Sequence, residues 1–268
     1  MPTTPSSAPA YVRVENLVAG YGDQTVLNGV SVQARRGEIT VILGGSGCGK
    51  TTLLRHVVGL LRPRSGRVLI DGRDVHRAGE AEREAILRNV GMSFQGGALF
   101  NSMSVEENVM LPILEHTRAP LETARMLARM KLSLVGLEHA ARLLPAELSG
   151  GMKKRAAVAR ALALDPTLLL FDELSAGLDP VTARELDELV LRLKAQFDMA
   201  ILIVTHELGS IQMIADRAIM LHDGRVLAAG PLAEVQAMQL PQVQAFFDRR
   251  PRPAGLRHGL LERLTDGA

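Results

Sequence analysis

The chain has 268 residues, enough to bury a full core as one large domain or as a domain with a subdomain. Its 47% hydrophobic and 22% charged content is ordinary for a soluble globular protein, and a net charge of +2 makes no general case for a nucleic-acid partner. A single cysteine, Cys48, excludes an internal disulfide and a cysteine zinc site, and fits a reducing compartment.

The first ten residues, MPTTPSSAPA, lack a basic start and an apolar stretch, so they read as a floppy lead-in rather than a signal peptide. No apolar run approaches the ~20 residues that span a bilayer, and a cytosolic location is expected. Apolar residues then alternate in YVRVENLVA (11–19) and VLNGVSVQA (26–34), which predicts antiparallel strands. ITVIL (39–43) enters a glycine loop and a helix starting near Gly49. RVLIDG (67–72) predicts a strand ending in an Asp-Gly turn, and VGMSFQ (90–95) another strand. From about Gly96 to Ala163 the pattern is helical, with Ser104 and Glu107 forming a capping box and further helices over 121–135 and 150–164. TLLLF (167–171) and AILIV (200–204) are wholly apolar, as central parallel strands covered on both faces are. Between them, Leu186, Leu189, Val190, Leu193 and Phe197 mark one face of a helix opening at Asp179-Pro180. A hairpin through Asp223-Gly224 (218–230) precedes a tail with a helical stretch and a basic, poorly periodic end.

Two stretches carry phosphate chemistry. GGSGCGKT (44–51) satisfies the G-x-x-x-x-G-K-[ST] pattern between a buried strand and a helix. Its backbone N–H groups can wrap a β-phosphate, Lys50 can reach the β and γ oxygens, and the Thr51 hydroxyl can bind Mg²⁺. Cys48 has no activating base in view and reads as loop filler. LLLFDE (168–173) delivers two acids at the C-terminal end of a strand, where open α/β sheets place ligands; Asp172 suits the Mg²⁺ shell and Glu173 the attacking water. LSGGMKKR (148–155) then offers a second seat, since backbone donors and the dipole at a helix N-terminus favour an anion. Its Lys153-Lys154-Arg155 run reads as a solvated helix face.

The phosphate loop, Gln95, LSGG at 148–151, LLLFDE, SAGLD at 175–179 and His206 after AILIVT together resemble the ATP-binding-cassette (ABC) ATPases, from about residue 11 to 230. The resemblance implies an α/β fold: a RecA-like core, an antiparallel β subdomain and a helical subdomain at about 96–163, with 231–268 as an extension. It implies that Gly44, Gly45, Ser46, Gly47, Cys48, Gly49, Lys50, Thr51 and Thr52 line the ATP site, with Mg²⁺ on Thr51, Gln95 and Asp172. Two copies would pack head to tail, so that Ser149, Gly150, Gly151 and Asp179 serve the partner's ATP. Glu173, Gln95 and His206 would be the catalytic set, His206 contacting the γ-phosphate. Tyr21 would stack on adenine, against the plainer reading of a hairpin tyrosine on a strand edge. Asp179 serves equally well as a simple helix start, and Gln95 as a strand-end glutamine. One departure is Leu174, where the family usually has proline; without proline's restraint the placement of Glu173 is expected to be looser.

Within that family, FQGGALFNSMSVEENV (94–109), LSGGM with Met152, FDELSAGLDPVTARELDELV (171–190) and VTHELGSI (204–211) are similar to the ATPase of MCE (mammalian cell entry) or Mla-type lipid transporters. This implies a homodimer at the cytoplasmic face of the inner membrane with an integral membrane permease, an MCE-domain lipid-binding protein and a small STAS-domain subunit, moving phospholipid. Phe100, Met103, Val105 and Val109 are read either as the docking surface for the permease or as subdomain core. An amino-acid importer ATPase would share every ATP motif, and the cytosolic ABC ATPase of iron–sulfur cluster assembly is the rival from another class. The apolar Val243, Phe246 and Phe247 of the tail are read as contacting a neighbouring subunit, against the plainer reading of a frayed end.

Overall fold

The computed structural model describes residues 9–248; the lead-in through residue 8 and the basic end of the tail from residue 249 lie outside the described residues. Strands β1 (Ala10–Tyr21) and β2 (Gln24–Arg35) form a long antiparallel hairpin, followed by β3 (Ile39–Gly44) and helix α1 (Lys50–Val57). β4 (Ser65–Ile70) pairs back on β1, and a two-residue strand, β5 (Arg73–Asp74), completes a sheet of order β2-β1-β4-β5. The intervening Asp71-Gly72 turn has both residues at positive φ (51° and 75°), as its sequence predicts.

Helix α2 (Glu80–Leu87) leads to β6 (Val90–Ser93). The helical segment comprises α3 (Val105–His116), α4 (Leu121–Leu134) and α5 (Gly150–Ala161). Ser104 caps α3 reciprocally with Glu107, the box legible in the sequence. β7 (Leu168–Asp172), α6 (Pro180–Gln196), β8 (Ala200–Val204) and α7 (Leu208–Ile214) return the chain to the core. β9 (Arg217–His222), β10 (Arg225–Pro231), α8 (Leu232–Ala237) and α9 (Pro241–Phe247) follow.

The larger sheet has the order β10-β9-β3-β8-β7-β6, parallel throughout except for the β9–β10 hairpin. Every residue of β3, β7 and β8 is buried, because the sheet is covered on both faces. Alternate side chains divide between two cores. Val41, Leu169, Phe171, Ile201 and Ile203 face one with α3–α6, whereas Ile42, Leu168, Leu170, Leu202 and Val204 face the other with α1 and the antiparallel sheet. Such strands carry no hydrophobic–polar alternation, and the continuous apolar runs in the sequence are the consequence. α2 and α7 escape the sequence pattern because they are short; α2 buries only Ile86. Among the described residues no helix is long and apolar enough to cross a membrane.

Candidate functional site

The phosphate loop joins β3 to α1, and its glycines are required by geometry. Gly44 and Gly49 have φ of 140° and 103°; a Cβ on the first would sit 2.3 Å from the Leu221 carbonyl oxygen, and one on the second 2.4 Å from Leu27 Cδ2. Ser46 and Gly47 are exposed at the loop's crest, Gly45 is half-buried, and Cys48 is buried beneath it. Lys50 folds back over the loop, its Nζ donating to the carbonyls of Gly44 (2.9 Å) and Gly45 (3.0 Å). Thr52 is buried behind the loop, and hydrogen bonding from it holds the Tyr21 phenol below its ordinary pKa; burial opposes this and Arg55 adds to the lowering. Tyr21 ends β1 with its ring 45% exposed and its hydroxyl accepting from Arg55 on α1 (3.2 Å). It sits at the β1–β2 hairpin turn with its side chain partly exposed.

The strand order brings residues far apart in sequence together. β7 lies two strands from β3, and the Thr51 hydroxyl donates to Asp172 Oδ1 at 3.1 Å. Asp172 is buried, which pushes its carboxyl above the ordinary range; the Thr51 bond offsets part of this, and neighbouring Glu173 adds to the rise. Glu173 itself has φ 53°, a left-handed backbone that a non-glycine residue holds only when its surroundings fix it. Four contacts do so. Its N–H donates to the Val204 carbonyl (2.9 Å) and its carbonyl accepts from Lys154 Nζ (3.3 Å). Its carboxylate accepts from Gln95 Nε2 (2.9 Å) and lies 3.2 Å from His206 Nδ1. Glu173, Gln95 and His206, drawn from three separate segments, therefore converge on one carboxylate. Leu174, in the place of the usual proline, is buried in the helical core, and Glu173 beside it is held by the four contacts above.

Ser149 and Asp179 cap adjacent helices. Ser149 Oγ accepts from the Met152 N–H at the start of α5. Asp179 accepts from the N–H groups of Val181 and Thr182 and from the Thr182 hydroxyl (2.6 Å), contacts that hold its carboxyl below the usual range. The two N-termini abut so closely that a Cβ on Gly151 would fall 2.5 Å from Thr182 Cγ2, while one on Gly150 would still clear Leu178 at 3.4 Å. Among the described residues, no hydrogen bond joins these four positions to the phosphate loop of their own chain.

Two readings are corrected, and one that the sequence left open is decided. The Lys153-Lys154-Arg155 run is not a solvated face: Lys154 is buried, with its ammonium on the Gln95 and Glu173 carbonyls, and Arg155 pairs with Glu185 (2.8 Å) and the Val135 carbonyl. Burial lowers the Lys154 pKa, opposed by the Glu173 and Asp172 carboxylates. The signal was present in the sequence, since Ala157 and Val158, three and four residues on, share its buried side of the helix. Val105 and Val109 are fully buried subdomain core, whereas Phe100 is 51% exposed and Met103 half-buried. In the tail, Val243 is fully buried in its own chain's core and so is not a subunit contact, while Phe246 and Phe247 pack edge to face (5.3 Å) at that core's margin and stay half-buried.

A strand–glycine loop–helix with a paired acid–hydroxyl at its mouth, and a carboxylate held by glutamine and histidine beside it, defines an ATP-hydrolysing cassette enzyme. The chain belongs to the ABC transporter family, whose model matches residues 27–176. It is 42% identical to the intermembrane phospholipid transport system ATP-binding protein MlaF of Haemophilus influenzae, over 88% of this chain and 89% of that protein. It is also 42% identical to the methionine import ATP-binding protein MetN of Mesorhizobium japonicum, over 87% of this chain and 64% of that one. Among solved structures, the ATP-binding cassette MJ0796, dimeric in a post-hydrolysis state bound to ADP and Pi, superposes with a TM-score of 0.75. That match is 31% identical, covering 82% of this chain and 98% of the cassette. The chain is thus an ABC transporter ATPase subunit that binds and hydrolyses ATP.

Proposed function

We propose that this chain drives phospholipid transport in an Mla-type system that maintains outer-membrane lipid asymmetry, as a homodimer on the cytoplasmic face of the inner membrane. The observation that carries the catalytic part is the convergence of Gln95 and His206 on Glu173 next to the Thr51–Asp172 pair. Lys50 and the loop N–H groups hold the phosphates of the chain's own ATP, and Tyr21 offers its exposed ring to the adenine. A hard, oxygen-seeking Mg²⁺ fits the Thr51 hydroxyl and the Asp172 carboxylate, a buried acid beside a second acid. The Gln95 amide oxygen would be a third protein ligand, since its Nε2–H donates to Glu173 and leaves the oxygen available. When bound with ATP, the ion neutralises charge developing on the phosphates. Glu173 accepts a proton of the attacking water, Gln95 fixes the carboxylate's orientation, and His206 would contact the γ-phosphate.

The head-to-tail dimer is supported by the dimeric form of the related cassette. The abutting N-termini of α5 and α6 concentrate backbone donors and helix dipoles for a partner's γ-phosphate. Closure on ATP and reopening after hydrolysis would bias a permease between two states. An MCE-domain protein and a STAS-domain subunit complete the assembly in this reading.

Phospholipid cargo is supported by the likeness to MlaF across 88% of the chain. The likeness to MetN favours a second reading, an amino-acid importer. Purification from native membranes with mass spectrometry of the accompanying proteins and lipids separates them. Mla-type function predicts a permease, an MCE-domain protein and phospholipid in the complex, with a detergent-sensitive outer membrane when the protein is deleted. Lost uptake of a small polar nutrient with an intact envelope refutes it. A chain that never sediments with membranes would point instead to a non-transport role such as iron–sulfur assembly.

A further inference from the structure

Helix α5 does two things at once in the fold. Its N-terminus, capped by Ser149, presents Gly150 and Gly151 at the surface, and one turn later Lys154 turns inward. The Lys154 ammonium donates to the Gln95 carbonyl (2.5 Å) and to the Glu173 carbonyl (3.3 Å). These are backbone atoms of the two residues whose side chains meet at 2.9 Å. Arg160, two turns further along, donates to the carbonyls of Gly97 and Ala98 and so holds the loop after Gln95, but not Glu173. Among the described residues, Lys154 alone bonds both segments by a side chain.

We propose that Lys154 is a positioning residue for hydrolysis: its ammonium ties the peptides of Gln95 and Glu173 to α5 and so fixes the left-handed backbone that aims the Glu173 carboxylate. Glu173 is strained at φ 53°, and a donor on its carbonyl restrains the peptide that follows it. The ammonium also stands where it compensates the adjacent Asp172 and Glu173 carboxylates. Because α5 carries Ser149 and Gly150 one turn away, the same lysine connects the helix end facing the partner's nucleotide to the chain's own catalytic carboxylate. The inference rests on the reading of Glu173 as the water-activating base.

The test is Lys154→Met in the full-length chain, which keeps an unbranched stem and removes the charge and all three donors. Expected are an unchanged affinity for a fluorescent ATP analogue and a kcat lowered about tenfold, equivalent to ~1.4 kcal/mol of transition-state stabilisation. Lys154→Arg, which keeps charge and donors, should restore most of the rate. A kcat within about threefold of the parent, a parallel loss of nucleotide affinity, or a defect that arginine does not repair overturns the proposal. Should the methionine variant fail to fold, Lys154→Gln, whose shorter amide cannot serve both carbonyls, is judged by the same readouts. Glu173→Gln, assayed alongside, separates the two readings. If it is inactive while Lys154→Met is normal, only the lysine's role fails; if it hydrolyses ATP normally, the assignment of the base fails.

Discussion

Glu173→Gln tests the assigned chemistry most directly. The substitution is isosteric, and the glutamine oxygen can still accept from Gln95 Nε2 while its new amide group can donate towards His206 Nδ1, so the local packing survives. What is lost is the negative charge and the ability to take a proton. General-base catalysis contributes about 10²–10⁴-fold, so kcat should fall by that factor, equivalent to ~3–5 kcal/mol. Nucleotide affinity should persist, because Lys50, the loop N–H groups and the Thr51–Asp172 pair are untouched, and removing one of two adjacent carboxylates eases the approach of an anion. ATP-bound dimers should therefore accumulate. The assay is phosphate release at saturating ATP, paired with size-exclusion chromatography in ATP and in ADP. Turnover near that of the parent would falsify the role of Glu173, and an ATP-bound species that stays monomeric at every concentration would count against the composite site.

Lys50→Ala should act on binding instead, weakening ATP affinity about 10–100-fold in a direct titration. A Ser149→Arg chain should bind ATP through its own loop yet form at most one working site when mixed with Lys50→Ala, read as the ATPase rate against mixing ratio; full activity of the mixture refutes action across subunits. Asp172→Asn should abolish hydrolysis while raising the melting midpoint of the nucleotide-free chain, by about 2–4 °C for each kcal/mol relieved. The Asp172 pKa is raised in the folded state, so its burial costs stability above that pKa and nothing below the unfolded value of about 3.9. The gain should therefore be largest at neutral pH and vanish in acid. Val243→Ala, at a fully buried position, should cost about 2 kcal/mol of stability without changing the ATPase rate per dimer, which distinguishes packing within the chain from a subunit contact.

Much of this protein is local, and what is local was legible in its sequence. The glycines of the phosphate loop answer first to local backbone dihedrals, as Gly44, Gly47 and Gly49 show with φ of 140°, 77° and 103°, although the close approach of Leu221 to Gly44 and of Leu27 to Gly49 is tertiary. The Ser104–Glu107 box and the Asp71-Gly72 and Asp223-Gly224 turns are likewise short-range chemistry, and β7 and β8 announced themselves through apolar runs. Motif order then named Glu173, Gln95 and His206 as partners, although nothing in their spacing shows that they touch. Only the tertiary structure decided that. The order β3-β8-β7 sets Thr51 against Asp172 across 121 residues, and β6, β7 and β8 end side by side so that the segments after them can share one carboxylate. The same packing turned Lys154 inward, buried Val105 and Val109, and folded Val243 back on its own chain. A charge run or an apolar residue states only a preference for water or its absence; which neighbour satisfies that preference depends on contacts between segments that loop closure alone brings together.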